Sequence, residues 1–163
     1  IEARGIALDV GCGSSGRFMR ILQEAGFSLE GMDVSSEMLK HAEEEVADAH
    51  YFLGDIGTCE LEEKYDFISA WDSTFHLPLE LQEPALKTMC GAMNSKGILV
   101  FTCGGMPDSG TISGNFRDKD FEYSTLGIDE FLRLLREFGC ECLHVEFDQG
   151  PVESHVYIIA RKR

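Results

Sequence analysis

An apolar run, Ile6 to Val10, that empties into the glycine-rich turn Gly11-Cys12-Gly13-Ser14-Ser15-Gly16 restricts the fold of this chain more than any other segment. Helical spacing follows at once, with Phe18, Ile21, Leu22 and Ala25 on one face and Gly26 as the stop. The next apolar run, Leu29 to Asp33, closes on a carboxylate. Strand, tight glycine turn and helix in that order make the nucleotide-gripping unit of a doubly wound α/β sheet. Asp9 stands two residues before the first glycine. A carboxylate there repels a dinucleotide pyrophosphate and attracts a ligand carrying ammonium and sulfonium groups.

The rest of the chain repeats the alternation. Ser35 or Ser36 can cap a helix that has Glu37 in its first turn and Met38, Leu39, Ala42 and Val46 as its buried stripe. Tyr51 to Leu53 reads as a short strand, and Tyr65 to Trp71 as a strand buried on both faces. Pro84 suits the first turn of a helix whose Ala85, Leu86, Met89 and Met93 face inward. Lys96-Gly97 turns the chain into the strand Ile98 to Thr102. The stretch from Cys103 to Gly127, rich in Gly, Ser and Asp, is expected to be a long lid or substrate loop. Ile128, Phe131, Leu132, Leu135 and Phe138 mark the last helix, closed by Gly139. The strands Cys142 to Phe147 and His155 to Ala160 follow with no helix between them, which implies an antiparallel hairpin.

Composition narrows the partners. A chain of 163 residues fits one domain, residues 1–163, and the net charge of −15 sets 14 Lys and Arg against 29 acids. That balance disfavours nucleic acid and favours a small acceptor, neutral or cationic. No apolar run reaches the roughly 20 residues a bilayer needs, and no basic-then-apolar leader opens the chain. A cytoplasmic monomer or homodimer with no membrane partner is therefore expected. The chain starts at Ile1, close to the first strand, so an N-terminal lid segment is expected to be missing. Six cysteines without a leader suit a reducing compartment, and with no C-x-x-C pair no metal site is expected. Cys140 and Cys142 read as buried thiols on one strand face.

Asp9-Val10-Gly11-Cys12-Gly13, Asp33, Gly54-Asp55-Ile56 and Trp71-Asp72-Ser73-Thr74-Phe75-His76-Leu77-Pro78 together resemble the motifs of the class I S-adenosylmethionine-dependent methyltransferases. The likeness covers nearly the whole chain. It implies an α/β fold with a doubly wound, mostly parallel, seven-stranded Rossmann-like sheet and a C-terminal antiparallel hairpin. It also implies that the backbone of Gly11, Cys12 and Gly13 wraps the methionine part of S-adenosylmethionine, with Asp9 facing its amino group. By the same likeness Asp33 accepts both ribose hydroxyl protons beside Val34, Asp55 holds the adenine amino group, and the backbone of Ile56 meets the ring. Trp71 is implied to pack beside the cofactor. From Trp71 through Tyr123-Ser124-Thr125-Leu126-Gly127 to Asp148 the chain looks most like bacterial small-molecule-type members, which bring no assigned substrate with them.

One position departs from the pattern. Ser15 stands where the family has its third glycine, and Gly16 follows one place later. From Gly11 the loop also satisfies G-x-G-x-x-G, so an NAD-type oxidoreductase is the second reading. Asp9, the closing hairpin and the lack of a substrate domain oppose it. A non-catalytic S-adenosylmethionine-binding module is a third. The first reading is methyl transfer to a small-molecule O or N acceptor by in-line displacement, releasing S-adenosylhomocysteine. The segment after Trp71 lacks the N-P-P-Y or D-P-P-Y run of enzymes that methylate DNA bases.

His76 is the candidate general base, since imidazole titrates near pH ~6.5, with a positioning or structural histidine as the plainer alternative. Asp72 and Tyr123 join His76 as candidate acceptor contacts. A loop-stabilising hydrogen bond explains Asp72 equally well. Asp148 and His155 are expected near the same mouth, more as structural than as catalytic groups.

Overall fold

The computed structural model describes residues 4–116, 119–148 and 155–163. The elements in chain order are β1 (Ile6–Val10), α1 (Arg17–Glu24), β2 (Ser28–Asp33), α2 (Ser36–Glu45), β3 (His50–Leu53), β4 (Tyr65–Ala70), α3 (Leu79–Ala92), β5 (Met93–Gly104), β6 (Gly110–Phe116), β7 (Lys119–Thr125), α4 (Ile128–Glu137), β8 (Cys140–Phe147) and β9 (His155–Lys162). The main sheet has seven strands in the order β3-β2-β1-β4-β5-β9-β8. Neighbours from β3 to β5 run parallel, and β9 is antiparallel to both β5 and β8. The doubly wound, mostly parallel sheet with its C-terminal hairpin is thus the one expected from the residues.

The alternation of side chains along β1 builds both layers. Leu8 and Val10 enter the larger core, formed with Ala85, Leu86 and Met89 of α3 and Phe131, Leu134 and Leu135 of α4. Ala7 points the other way, into a smaller core with Met19 and Leu22 of α1, Leu29 and Val46. Each fully buried aliphatic or aromatic side chain contributes roughly 1.5–3 kcal/mol, so the sheet is held from both faces. The chain reverses direction of winding between β1 and β4, which opens a crevice at the carboxyl ends of these strands. No helix among the described residues is long and apolar enough to cross a membrane.

Several local expectations are corrected. Pro84 lies inside α3 and not in its first turn; Pro78 takes the N-cap place and the helix starts at Leu79. The extended backbone of Leu77 suits a residue that precedes proline. Met93 belongs to β5, not to the helix, and β5 passes through Lys96-Gly97 as an irregularity, with Lys96 at φ 68. Residues 103–127 are not a structureless loop, because β6 and β7 pair there as an antiparallel hairpin. The β-branched and aromatic residues Thr111, Ile112, Phe121 and Tyr123 favour that pairing over a coil. Ile21 and Met38 are exposed. The stripe of α1 runs instead through Met19 and Leu22, and Met38 faces the crevice. Cys140 is buried but Cys142 is exposed, where a register irregularity interrupts the alternation of β8.

Candidate functional site

The turn after β1 is shaped by its glycines. Gly11 sits at φ +69, and a Cβ there would lie 2.5 Å from that of Ser73, so only glycine lets the two segments meet. The N–H groups of Gly11 and Cys12 both donate to the Met32 carbonyl, at 2.8 and 3.0 Å. Gly13, at φ +58, has nothing within 4 Å of its would-be Cβ. Its N–H donates to Asp33 Oδ2 at 2.9 Å, and the N–H of Ser35 donates to Asp33 Oδ1 at 2.9 Å. Asp33 therefore ties the glycine turn to the start of α2. Ser35 is the cap of that helix, its Oγ accepting from the N–H of Met38. The Cys12 side chain turns away into a small core with Leu39 and Ala42, and burial pushes its thiol up to about 12. A thiol that stays protonated there is no nucleophile.

Three cavities meet at the carboxyl ends of the strands. The first, of about 580 Å³, is lined by Gly11, Gly13, Asp33, Val34, Asp55, Ile56, Ser73 and His76 among others. The second, of about 550 Å³, includes Asp9, Gly11, Cys12, Gly13, Trp71 and Asp72. The third, of about 360 Å³, includes Asp72, Phe75, Met106, Ile112, Tyr123 and His155. Asp72 lines all three. The nine sequence-predicted cofactor contacts fall in the first two cavities, and Tyr123 in the third. His76 lines the first cavity, with its ring 5.0 Å from that of Tyr123.

Burial dominates the electrostatics of Asp9. Its carboxyl is 4 % exposed and accepts from Ser69 Oγ at 2.7 Å. Desolvation lifts its pKa to about 7, against the hydrogen bond from Ser69 and the charge of Arg17, with the Asp33 carboxylate adding to the rise. Asp55 Oδ1 accepts from the N–H of Gly57 at 2.8 Å, which fixes the carboxylate at the end of β3. Trp71 is packed between Phe18 at 5.4 Å and Tyr157 at 5.7 Å between ring centroids. His76 has its pKa lowered by desolvation, with Asp72 pulling it back up.

Asp72 is the junction. It holds a left-handed backbone at φ 52, stabilised where its N–H donates to Thr102 Oγ1 at 2.8 Å. Its Oδ1 lies 2.8 Å from His155 Nε2, while His155 Nδ1 lies 2.5 Å from Asp148 Oδ1. Both ring nitrogens thus face carboxylates, an arrangement that favours the doubly protonated ring. Desolvation alone would lower the pKa of His155, but the hydrogen bonds to Asp148 and Asp72 and their charges outweigh it and raise the pKa. The position of His155 was readable in one respect: the first residue of an antiparallel strand lies at the carboxyl ends of its parallel neighbours, here opposite Gly104. Its clamp between two aspartates was not readable, since 83 residues separate it from Asp72.

The hairpin β6–β7 forms the outer wall of the third cavity and is anchored. Gln82 Nε2 donates to the Ser124 carbonyl at 2.7 Å, and Thr125 Oγ1 donates to that of Gly104 at 3.0 Å. Sequence reasoning missed Ser73, whose buried Oγ has no hydrogen-bond partner among the described residues and lies at the wall of the first cavity. An unpaired buried hydroxyl and an open space above Gly13 fit a ligand laid along the glycine turn.

The family model described as a methyltransferase domain matches residues 7–97, which include the glycine turn, Asp33, Asp55 and the segment from Trp71 to Pro78. Among solved structures, an S-adenosylmethionine-dependent methyltransferase from Clostridium acetobutylicum superposes with a TM-score of 0.78 at 13% identity, covering 97% of this chain and 84% of that one. A SAM-bound amino pentose methyltransferase of calicheamicin biosynthesis from Micromonospora echinaspora gives a TM-score of 0.77 at 17% identity, over 99% and 84% of the two chains. Magnesium protoporphyrin IX methyltransferase from Synechocystis, with SAM bound, gives 0.75 at 17% identity, over 96% and 69%. No curated protein matches the chain at a significant level. The chain belongs to the methyltransferase-domain family, and its fold is that of the class I S-adenosylmethionine-dependent methyltransferases.

Proposed function

We propose that the protein transfers a methyl group from S-adenosylmethionine to a small-molecule O or N acceptor, with the first two cavities for the cofactor and the third for the acceptor. The observation that carries this reading is the arrangement of acids: Asp9, Asp33 and Asp55 surround two cavities joined through Gly11 and Gly13, and Asp72 connects both to the third. Carboxylates at those places suit an ammonium, a ribose diol and an exocyclic amine, and they repel a pyrophosphate. Bound S-adenosylmethionine supplies an activated methyl group. The chain's own task is then alignment, worth on the order of 7–11 kcal/mol when nucleophile and carbon are held in near-attack geometry.

Within this reading Asp9 offers a charge to the cofactor ammonium, Asp33 and Val34 flank the ribose, and Asp55 and Ile56 flank the adenine. Gly11, Cys12 and Gly13 present backbone, and Trp71 closes the methionine end. His76, its pKa held below the usual imidazole range, is neutral near pH 7 and is the base for an acceptor that must shed a proton. Calorimetric titration with S-adenosylhomocysteine and with NADH tests the assignment; NADH affinity without S-adenosylhomocysteine affinity would reverse it. Turnover of labelled S-adenosylmethionine against metabolite extracts then identifies the acceptor.

Two substitutions follow. Gly13→Ala forces a side chain to positive φ at a cost of about 1–2 kcal/mol in stability, with no clash in the protein. Its methyl group projects into the cofactor's space, so S-adenosylhomocysteine affinity is expected to fall at least about tenfold, roughly 1.4 kcal/mol. Unchanged affinity, measured calorimetrically beside the thermal midpoint, would place the ligand elsewhere. His76→Ala is expected to lower turnover less than Asp33→Ala does at sub-saturating cofactor, because a base serves only acceptors that lose a proton. Initial rates with labelled cofactor make the comparison.

A further inference from the structure

The third cavity has a charge pattern that narrows the acceptor. Its lining contains no lysine or arginine among the described residues, and its apolar wall is Phe75, Met106, Ile112 and Tyr123. The rings of Phe75 and Tyr123 meet edge-on at 5.1 Å, and Phe75 lies 6.1 Å from His155. At the end nearest the cofactor cavities stands Asp72, whose carboxylate is half exposed while His155 and Asp148 are mostly covered. Even with the His155 ring doubly protonated, the two carboxylates leave this trio with a net charge of −1. Only Oδ1 of Asp72 is taken by His155. A carboxylate has about four lone-pair sites, so Asp72 keeps accepting capacity toward a ligand.

These features select a cation with an apolar body. Aromatic faces attract an ammonium group. The carboxylate of Asp72 pairs with it, and the acidic excess of the whole chain raises its local concentration. An anionic acceptor meets the opposite of each of these. A neutral alcohol gains one hydrogen bond and no charge pairing.

We propose that the acceptor is an apolar-bodied amine whose ammonium group is held by Asp72, with His155, buttressed by Asp148, as the positioning residue that fixes Asp72, and with His76, whose ring lies 5.0 Å from that of Tyr123, as the base. This rests on the reading of the first two cavities as the cofactor site. One ammonium proton passes to the neutral imidazole of His76, which exposes the nitrogen lone pair. The new N–CH3 bond forms as the C–S bond breaks, and the C–S electron pair stays on sulfur. The product remains a methylated ammonium ion, and His76 returns its proton to water. Proton removal also relieves the repulsion between an ammonium and a sulfonium lying side by side.

The test uses three probes of one size and different charge: 2-phenylethylamine, 2-phenylethanol and phenylacetate. Each is titrated calorimetrically into the protein saturated with S-adenosylhomocysteine. The amine is expected to bind at least about tenfold more tightly than the alcohol, with phenylacetate weakest. Asn tolerates the left-handed backbone, so Asp72→Asn preserves the turn, and it is expected to bring amine and alcohol within about twofold of each other. His155→Ala is expected to shrink the preference about threefold or more, and His155→Gln, which keeps an N–H for Asp72, to restore part of it. A merely structural role for His155 would weaken all three probes alike. An amine that binds no better than the alcohol, or an equal loss for all probes in Asp72→Asn, overturns the proposal. Absence of S-adenosylhomocysteine binding at the outset sinks the cofactor reading instead, so the two failures are told apart.

Discussion

Asp33→Ala is expected to weaken S-adenosylhomocysteine binding by about 100-fold or more. Hydrogen bonds to a charged group are worth about 1.5–3 kcal/mol each, and a ribose diol would place two on this carboxylate. The substitution also frees the N–H groups of Gly13 and Ser35, both of which Asp33 now satisfies at 2.9 Å. The glycine turn then loses its tie to α2, adding a cost in preorganisation to the lost contacts. Asp33→Asn should fall between, because its amide oxygen serves one backbone donor while its NH2 opposes the other. Calorimetry gives the affinity, and thermal melting of the free protein separates the loss of the tie from the loss of ligand contacts. A change of less than about fivefold in Asp33→Ala, roughly 1 kcal/mol, would remove Asp33 from the ribose site.

Asp9→Asn is expected to move stability and affinity in opposite directions. The ordinary carboxyl value of 3.8 is raised to about 7, chiefly by burial. Between those two values the folded state binds more protons at this group than the unfolded state, so stability falls as pH rises through the interval. Below the lower value the group costs nothing; above the upper one it costs up to about 4 kcal/mol. Asn keeps an oxygen for Ser69 Oγ and removes that cost, so the free variant should unfold at a higher temperature than wild type at pH 8 and not at pH 4. A ligand ammonium favours the ionised form, so wild-type affinity for S-adenosylhomocysteine should strengthen from pH 6 to pH 8. In Asp9→Asn that rise should flatten, with affinity at pH 8 at least about tenfold below wild type. Parallel pH series of melting and calorimetry check both halves; a variant that still tightens with pH would take the cationic group away from Asp9.

How legible the molecule is from its residues varies with the range of the interactions. The nucleotide half is written locally: Gly11 and Gly13 need positive φ, Asp33 ends a strand, and each lies within one strand–turn–helix unit. The hairpin over the third cavity was hidden because Gly, Ser and Asp suggest coil, whereas cross-strand partners such as Ile112 and Tyr123 meet only once both strands are in place. Pro84 misled because helix starts tolerate proline, yet the earlier Pro78 does that work here. The link from Asp72 through His155 to Asp148 depends on β9 returning beside β5, a long-range event that no local spacing encodes.

The hairpin between β5 and α4 is tied down through Gln82 and Thr125, and among the described cavities it supplies Ile112 and Tyr123 to the third. On the proposed assignment the hairpin shapes the apolar side of the acceptor's place, while the donor's cavities are built by other stretches of chain and Asp72 borders both. On that assignment, an exchange of that ribbon for another of equal length is expected to retune what is methylated without rewriting how the donor is gripped, a chassis with a replaceable jaw.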